Sequence, residues 1–171
     1  MKKFVYSSFI LLSVATLTAC SSSPSDNTTS SSSSTEQTSK ATDNSQYDSI
    51  VAEIKTALDP NNTGEVTVEV ENDIIDSEYP NGHNIIKVLL TGETQKSAKE
   101  ALDAVYSNTA TTEQNNAITL LRMTISELAK KLPDDTTVIN FGYEVSADQY
   151  DLIAKSSKTQ DIIPVGELIV E

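Results

Sequence analysis

Two hydrophobic periods alternate along the chain and divide it into elements. From Ser45 to Leu58, the apolar residues Tyr47, Ile50, Val51, Ile54 and Leu58 recur at helical spacing. With Ser45 in a capping position and Asp59-Pro60 as the stop, this predicts an amphipathic helix with one buried face. The period then drops to two. After the turn-forming Asn61-Asn62-Thr63-Gly64, Val66, Val68 and Val70 alternate with Glu65, Thr67, Glu69 and Glu71, as a half-buried strand requires. Asn72 to Asn84, which contains Pro80-Asn81-Gly82, reads as a loop, and Ile85 to Leu90 as a second strand with Ile86, Val88 and Leu90 on one side. The two strands are expected to form a hairpin with a long polar tip.

Helical spacing returns from Glu93 to Leu132 and breaks near Ser107-Asn108-Thr109. Ala98, Ala101, Leu102, Val105 and Tyr106 form the stripe of the first half; Ala117, Leu121, Ile125, Leu128 and Leu132 form that of the second. Thr111 followed three residues later by Gln114 is a capping-box pattern, which predicts two helices and not one bent one. Beyond Pro133-Asp134-Asp135, Thr137 to Val145 reads as a strand with Ile139, Phe141, Tyr143 and Val145 on one face. Ser146 with Gln149 predicts a short capped helix through Lys155, and Ile162 to Val170 a last strand, which Pro164 places on a sheet edge at its start. The expected order is α β β α α β α β. It describes an α+β domain: a single antiparallel or mixed four-stranded sheet with helices packed on one face.

The residues ahead of Ser45 follow neither period. Lys2 and Lys3 precede an apolar run from Phe4 to Val14, and the small residues Ala15 to Ala19 follow it, the three-part build of a secretory signal. A membrane span needs about 20 mainly apolar residues; this run is shorter and contains Ser7, Ser8 and Ser13. It closes on Leu17-Thr18-Ala19-Cys20, which holds the sole cysteine of the chain. These four residues resemble the lipobox of bacterial prolipoproteins. The resemblance implies that the Cys20 thiol receives a diacylglyceryl group, that the bond before it is cut, and that Cys20 becomes the anchored first residue. A second acyl chain converts marginal membrane attachment into stable anchoring, so the implied location is the outer side of a cell membrane, held by lipid. Ser21 favours outer-membrane sorting in a two-membrane bacterium, whereas the Ser/Thr tract resembles the spacers of single-membrane bacteria. The released segment Phe4 to Ala19 is also similar to precursors of peptide pheromones.

From Ser21 to about Asn44 the chain is rich in Ser, Thr and Asn, with Ser30 to Ser34 unbroken and Ala41 as its one aliphatic residue. Such a segment buries too little apolar surface to offset chain entropy. As a flexible tether of ~24 residues it reaches on the order of 25 to 30 Å. The organisation is therefore a signal over 1–19, a lipidated Cys20 with its tether over 20–44, and an acidic domain over 45–171.

Charge narrows the partners. The residues ahead of Cys20 carry Lys2 and Lys3 and no acid, so their removal takes the net charge from −13 to −15. Nucleic acid and anionic lipid are disfavoured as partners of the domain, because their binding sites are basic. The expected partners are the membrane, through Cys20, and an envelope protein or peptide, for which the acidic charge favours a basic one. The acid-rich hairpin, with Glu65, Glu69, Glu71, Asp73, Asp76 and Glu78, is the candidate surface.

Catalytic material is sparse. The chain has one His and no Trp, and its cysteine is taken by the anchor. His83 falls at the hairpin tip and reads as a solvated turn residue. No serine lies in a nucleophile elbow, and the phosphate-loop and dinucleotide fingerprints are absent from the sequence. Glu69 and Glu71 would lie about 6.6 to 6.8 Å apart by strand rise, a separation near that of inverting glycosidases, yet their alternation with Thr67 marks the wet side of a sheet. Asp59-Pro60-Asn61-Asn62-Thr63-Gly64-Glu65 resembles the start of an EF-hand-type calcium loop, with Asp59, Asn61, Thr63 and Glu65 as oxygen ligands, although Val70 stands where the loop's closing Glu belongs. The same residues also make an ordinary helix-to-strand turn. The expected role is a non-enzymatic binding or accessory domain, with a carboxylate- or calcium-dependent envelope enzyme as the alternative.

Overall fold

The structure, a computed structural model, describes residues 42–147 and 149–170. The signal, Cys20 and the Ser/Thr tract through residue 41 lie outside the described residues. A single 3₁₀ turn, Ser45–Tyr47, leads into α1 (Asp48–Leu58); β1 (Val66–Ile74), β2 (His83–Leu90), α2 (Gly92–Tyr106), α3 (Thr112–Ala129), β3 (Val138–Ser146) and β4 (Gln149–Ser157) follow.

The strands lie side by side in chain order. β1 and β2 are antiparallel, as are β3 and β4, while β2 and β3 run parallel, so the sheet is mixed. Parallel neighbours require a crossover of a dozen or more residues, and α2 and α3 supply it. Thr111 caps α3 through the expected box, its hydroxyl accepting from the Gln114 N–H while the Gln114 side chain accepts from the Thr111 N–H.

Register sorts the sheet residues into two faces. Val70, Ile86 and Ile139 form one row, Val68, Val88, Phe141 and Ala154 the next, and Val66, Leu90 and Tyr143 a third. These rows merge with Ile50, Ile54, Leu102, Ile118, Ile125 and Leu128 of the helices into one core. Burying each large side chain contributes about 1.5 to 3 kcal/mol, which holds the helices to this face. The opposite face carries Glu69, Lys87, Asn140 and Lys155 in a single row across all four strands.

The α+β class and the four-stranded sheet are as the pattern predicts; the differences lie in the last third, at the start of α1, and in the expected loop Asn72 to Asn84, into which β1 runs as far as Ile74 and from which β2 starts at His83. Ser146 to Lys155, expected as a short helix, is the β3–β4 hairpin. The Ser146 hydroxyl does meet the Gln149 side chain, donating to Oε1 at 2.6 Å, but the two are the last cross-strand pair and not a helix cap. Ile162 to Val170, expected as a strand, lies outside the sheet. Asp161 forms one antiparallel bridge to Ser156, and the Ile162 N–H donates to the Lys155 carbonyl at 2.8 Å. The segment then leaves β4 and is held to α3 by Asn116, which bonds both the N–H and the C=O of Ile169. Ser45 does not cap α1; its N–H donates to Asp43, and Tyr47 is carried by the 3₁₀ turn into full burial.

A bulge shapes β4. Phe141 faces Ala154 but Gly142 faces Leu152, so Ile153 is an extra residue that turns into the core. There the β4 backbone approaches so closely that a Cβ on Gly142 would sit 2.0 Å from the Asp151 carbonyl oxygen.

Candidate functional site

Five of the six acids of the predicted hairpin surface have bonded carboxylates, and Asp73 is bonded through its backbone. Glu65 reaches the start of α2, where its carboxylate accepts from the Glu93 and Thr94 N–H groups at 3.1 Å each and from the Thr94 hydroxyl. The Thr94 hydroxyl, then the two amides, hold its carboxyl below the usual range. Glu69 and Glu71 flank Lys87 of β2, which pairs with Glu69 at 3.2 Å and with Glu71 more closely. The Glu71 bond, outweighing the opposing effect of burial, raises the Lys87 pKa strongly. Asp73 occupies a positive φ of 56° in the bulge that ends β1, with its N–H donated to Asn84. Glu78 pairs with Lys155 of β4. The structure thus separates Glu65 from the other five and places cations from β2 and β4 among them.

Asp76 organises the loop between β1 and β2. Its carboxylate accepts from the Tyr79 N–H at 2.8 Å and the Glu78 N–H at 2.9 Å, and it meets His83 Nε2 at 3.2 Å. The Tyr79 amide foremost, with smaller help from Glu78, His83 and Lys155, outweighs desolvation and keeps Asp76 below its ordinary value. His83 corrects the sequence reading. It is 4% exposed, not a solvated tip, because β2 begins at His83 and the Tyr79 ring stacks on it with centroids 4.2 Å apart. Facing a carboxylate, Nε2 is the donor, and Nδ1 is buried without a partner among the described residues. The stack and the Glu78–Lys155 pair draw this loop toward β4 on the helix-free face, at the end of the sheet where Ile85 and Val138 are buried.

The rest of that face is open to solvent. Thr67, Glu69, Leu89, Lys87, Asn140, Leu152 and Tyr150 are each half-buried or exposed. The Lys87 ammonium lies 5.5 Å from the centre of the Tyr150 ring, a cation–π geometry. Gly142, between Leu89 and Leu152 in register, adds no side chain to this surface. The sequence reading finds Glu69 and Glu71 on the wet side but misses Lys87, Asn140, Lys155 and Tyr150. Their signal is the period-two polar interruption of otherwise apolar strands, Lys87 within Ile85–Leu90 and Asn140 within Val138–Tyr143. Which interruptions meet is a matter of register.

The calcium-loop residues are placed differently from a ligand shell. Asp59 accepts from the Thr63 N–H and hydroxyl through one oxygen and from the Gly64 N–H through the other, at 2.8 to 3.0 Å. The Thr63 amide above all lowers its pKa. Asn61 is exposed, and Glu65 is turned to α2. A cation at Asp59 would displace bonds that shape the turn. Among the described residues no group of three or more His, Cys, Asp or Glu side chains is gathered for a metal ion.

Two clefts accompany these features. One of about 300 Å³ lies beside the Asp59 turn, edged by Lys55, Thr56 and Asn62. The other, apolar and about 220 Å³, lies between α1, α2 and α3 over Leu90, Ala98, Ala101 and Ile118. Among the described residues no helix is long and apolar enough to cross a membrane. No family model matches the chain, and no characterised protein or solved structure matches it either.

Proposed function

We propose that the chain is a membrane-anchored surface lipoprotein whose acidic α+β domain is a non-enzymatic binding or accessory module for an envelope protein or peptide. The anchor rests on Leu17-Thr18-Ala19-Cys20 following an apolar signal. The observation that carries the binding role is the helix-free sheet face, where Glu69, Lys87, Asn140 and Lys155 cross four strands beside Tyr150. A rigid sheet holds these groups in fixed positions, and a carboxylate, two ammonium groups and an amide beside an aromatic ring provide the polar and amphipathic contacts typical of protein recognition.

The test has two parts. The native product is expected to begin at Cys20 and to carry diacylglyceryl mass. A photo-crosslinking residue in place of Tyr150 is expected to capture a discrete envelope component in intact cells, and one in place of Glu127 on α3 is not. A native protein that begins upstream of Cys20 or lacks acyl mass overturns the anchor. Equal capture from both positions, or none from the sheet, overturns the binding face.

A further inference from the structure

The two edges of the sheet are finished differently. Along β4 the chain closes its own edge: Arg122 Nε donates to the Ile153 carbonyl at 2.8 Å, and the segment Gln160–Ile163 bonds back to Lys155 and Ser157. Along β1 nothing comparable is found among the described residues.

Register tells which β1 groups face outward. Thr91 lies opposite Glu65 in the β1–β2 register and donates its N–H to the Glu65 carbonyl at 2.9 Å. Bonded and non-bonded pairs alternate along an antiparallel ladder. Glu65, Thr67, Glu69 and Glu71 therefore turn their backbone groups toward β2, and Val66, Val68 and Val70 turn theirs outward. An exposed edge of this kind is a template for a further strand.

Charge selects the occupant. A second copy of β1 is opposed. In every antiparallel register that pairs two or more of the outward residues, Glu69 meets Glu65, Glu71 meets Glu65, or Glu69 meets Glu69, and like charges directly opposite are destabilising. The open-face row next to the edge holds two carboxylates against the single Lys87 ammonium, a net negative charge. The core-side row holds Val68 and Val70, both still partly exposed.

Resting on the binding role proposed above, we infer that β1 accepts an extended peptide by antiparallel strand addition, with Lys or Arg opposite Glu69 and Glu71 and aliphatic residues opposite Val66, Val68 and Val70. The incoming backbone bonds the outward N–H and C=O groups of the three valines. Its alternating pattern supplies the missing cations on one side and covers the half-exposed valines on the other.

The full chain in mild detergent is titrated with acetyl-Lys-Val-Lys-Val-Lys-Val-amide and with its Glu-Val counterpart. The basic peptide is expected to bind, the acidic one to bind at least tenfold more weakly, and Glu69→Lys with Glu71→Lys to reverse the preference. Val68→Pro removes an outward N–H without removing a β1–β2 bond, a placement that edge strands tolerate, and is expected to abolish binding. On the unmodified chain the basic peptide is expected to slow hydrogen exchange at Val66, Val68 and Val70 at least tenfold and to leave Thr67 and Glu69 unchanged. Equal binding of both peptides, exchange unaltered at the three valines, or full binding by Val68→Pro overturns the inference. A chain that is acylated at Cys20 and captures a component through Tyr150 yet ignores the basic peptide keeps the surface role and loses the edge.

Discussion

Replacing Tyr47 by Phe removes one hydroxyl from a side chain that is fully buried at the entrance to the folded domain. That hydroxyl lies 2.8 Å from Thr137 Oγ1 and 2.9 Å from Asn84 Nδ2, with Asp134 Oδ2 at 3.3 Å. Thr137 spends its single proton on Asp134, 2.8 Å away, so Tyr47 donates to Thr137 and accepts from Asn84. The result is a chain of donors running from β2 through the 3₁₀ turn to a carboxylate. Tyr47→Phe strands the Asn84 N–H and leaves the Thr137 oxygen without a donor. Leaving one buried polar group unsatisfied costs about 1 to 3 kcal/mol, and about 2 kcal/mol is expected here. For a domain of this size that lowers the melting temperature by roughly 6 to 10 °C.

The terminal carboxylate adds a pH signature. Burial pushes Asp134 up, but the Thr137 and Thr136 hydrogen bonds outweigh it and hold the group below the ordinary carboxylate value. A group with a lowered folded pKa contributes stability that is complete above its unfolded pKa, about 3.9, and is lost as pH falls through the folded value. The deficit of Tyr47→Phe is expected to be full at pH 7 and to narrow only as pH falls through the folded value, below the ordinary carboxylate range, where the chain loses its charged end. Chemical denaturation of wild type, Tyr47→Phe, Thr137→Val and the double variant closes a thermodynamic cycle, with a coupling above about 0.5 kcal/mol expected for groups in one network. A loss under about 0.5 kcal/mol, or strict additivity with Thr137→Val, refutes the proton chain.

Three further outcomes follow from local geometry. Gly142→Ala drives a Cβ into the Asp151 carbonyl at the β4 bulge; overpacking against backbone costs about 1 to 3 kcal/mol, read as a lowered denaturation midpoint, whereas an unchanged midpoint would mean that the strands separate freely there. Asp76→Ala removes the acceptor shared by Glu78, Tyr79 and His83, and is expected to accelerate amide exchange in the β1–β2 loop by tenfold or more while α2 and α3 keep their protection. Thr111→Ala deletes half of the α3 capping box and is expected to cost about 1 kcal/mol, with Gln114→Ala adding little once Thr111 is gone.

The candidate surface was partly legible in the chain. Val66, Val68 and Val70 against Glu69 and Glu71 assign the two sides of β1 from alternation alone, and Glu69 and Glu71 do face solvent on the helix-free side. The ion pairs that tie those acids to Lys87, and Glu78 to Lys155, join residues 16 to 77 positions apart, distances over which no local pattern carries information. His83 looked solvated for a related reason: Pro80-Asn81-Gly82 announces a turn, but not that Tyr79 folds back over the ring.

By itself the sequence determined the elements whose apolar spacing is strong and whose ends are chemically marked: α1 with its Asp59-Pro60 stop, β1, β2, the box-capped α3 and β3. Their apolar faces must be buried whatever the neighbours are, so periodicity suffices. Tertiary structure alone decided β4, the parallel pairing of β2 with β3, and the fate of Ile162 to Val170. Gln149–Ser157 has no clean period, because a bulge at Ile153 shifts its phase, and it becomes a strand only because β3 offers an edge to bond. Ile162 to Val170 has strand-like composition, but only Ile162 and Ile163, after Gln160 and Asp161, bond the β4 edge before the chain turns away to α3. A strand is stabilised by a partner that lies elsewhere in the chain, whereas a helix satisfies its backbone within itself.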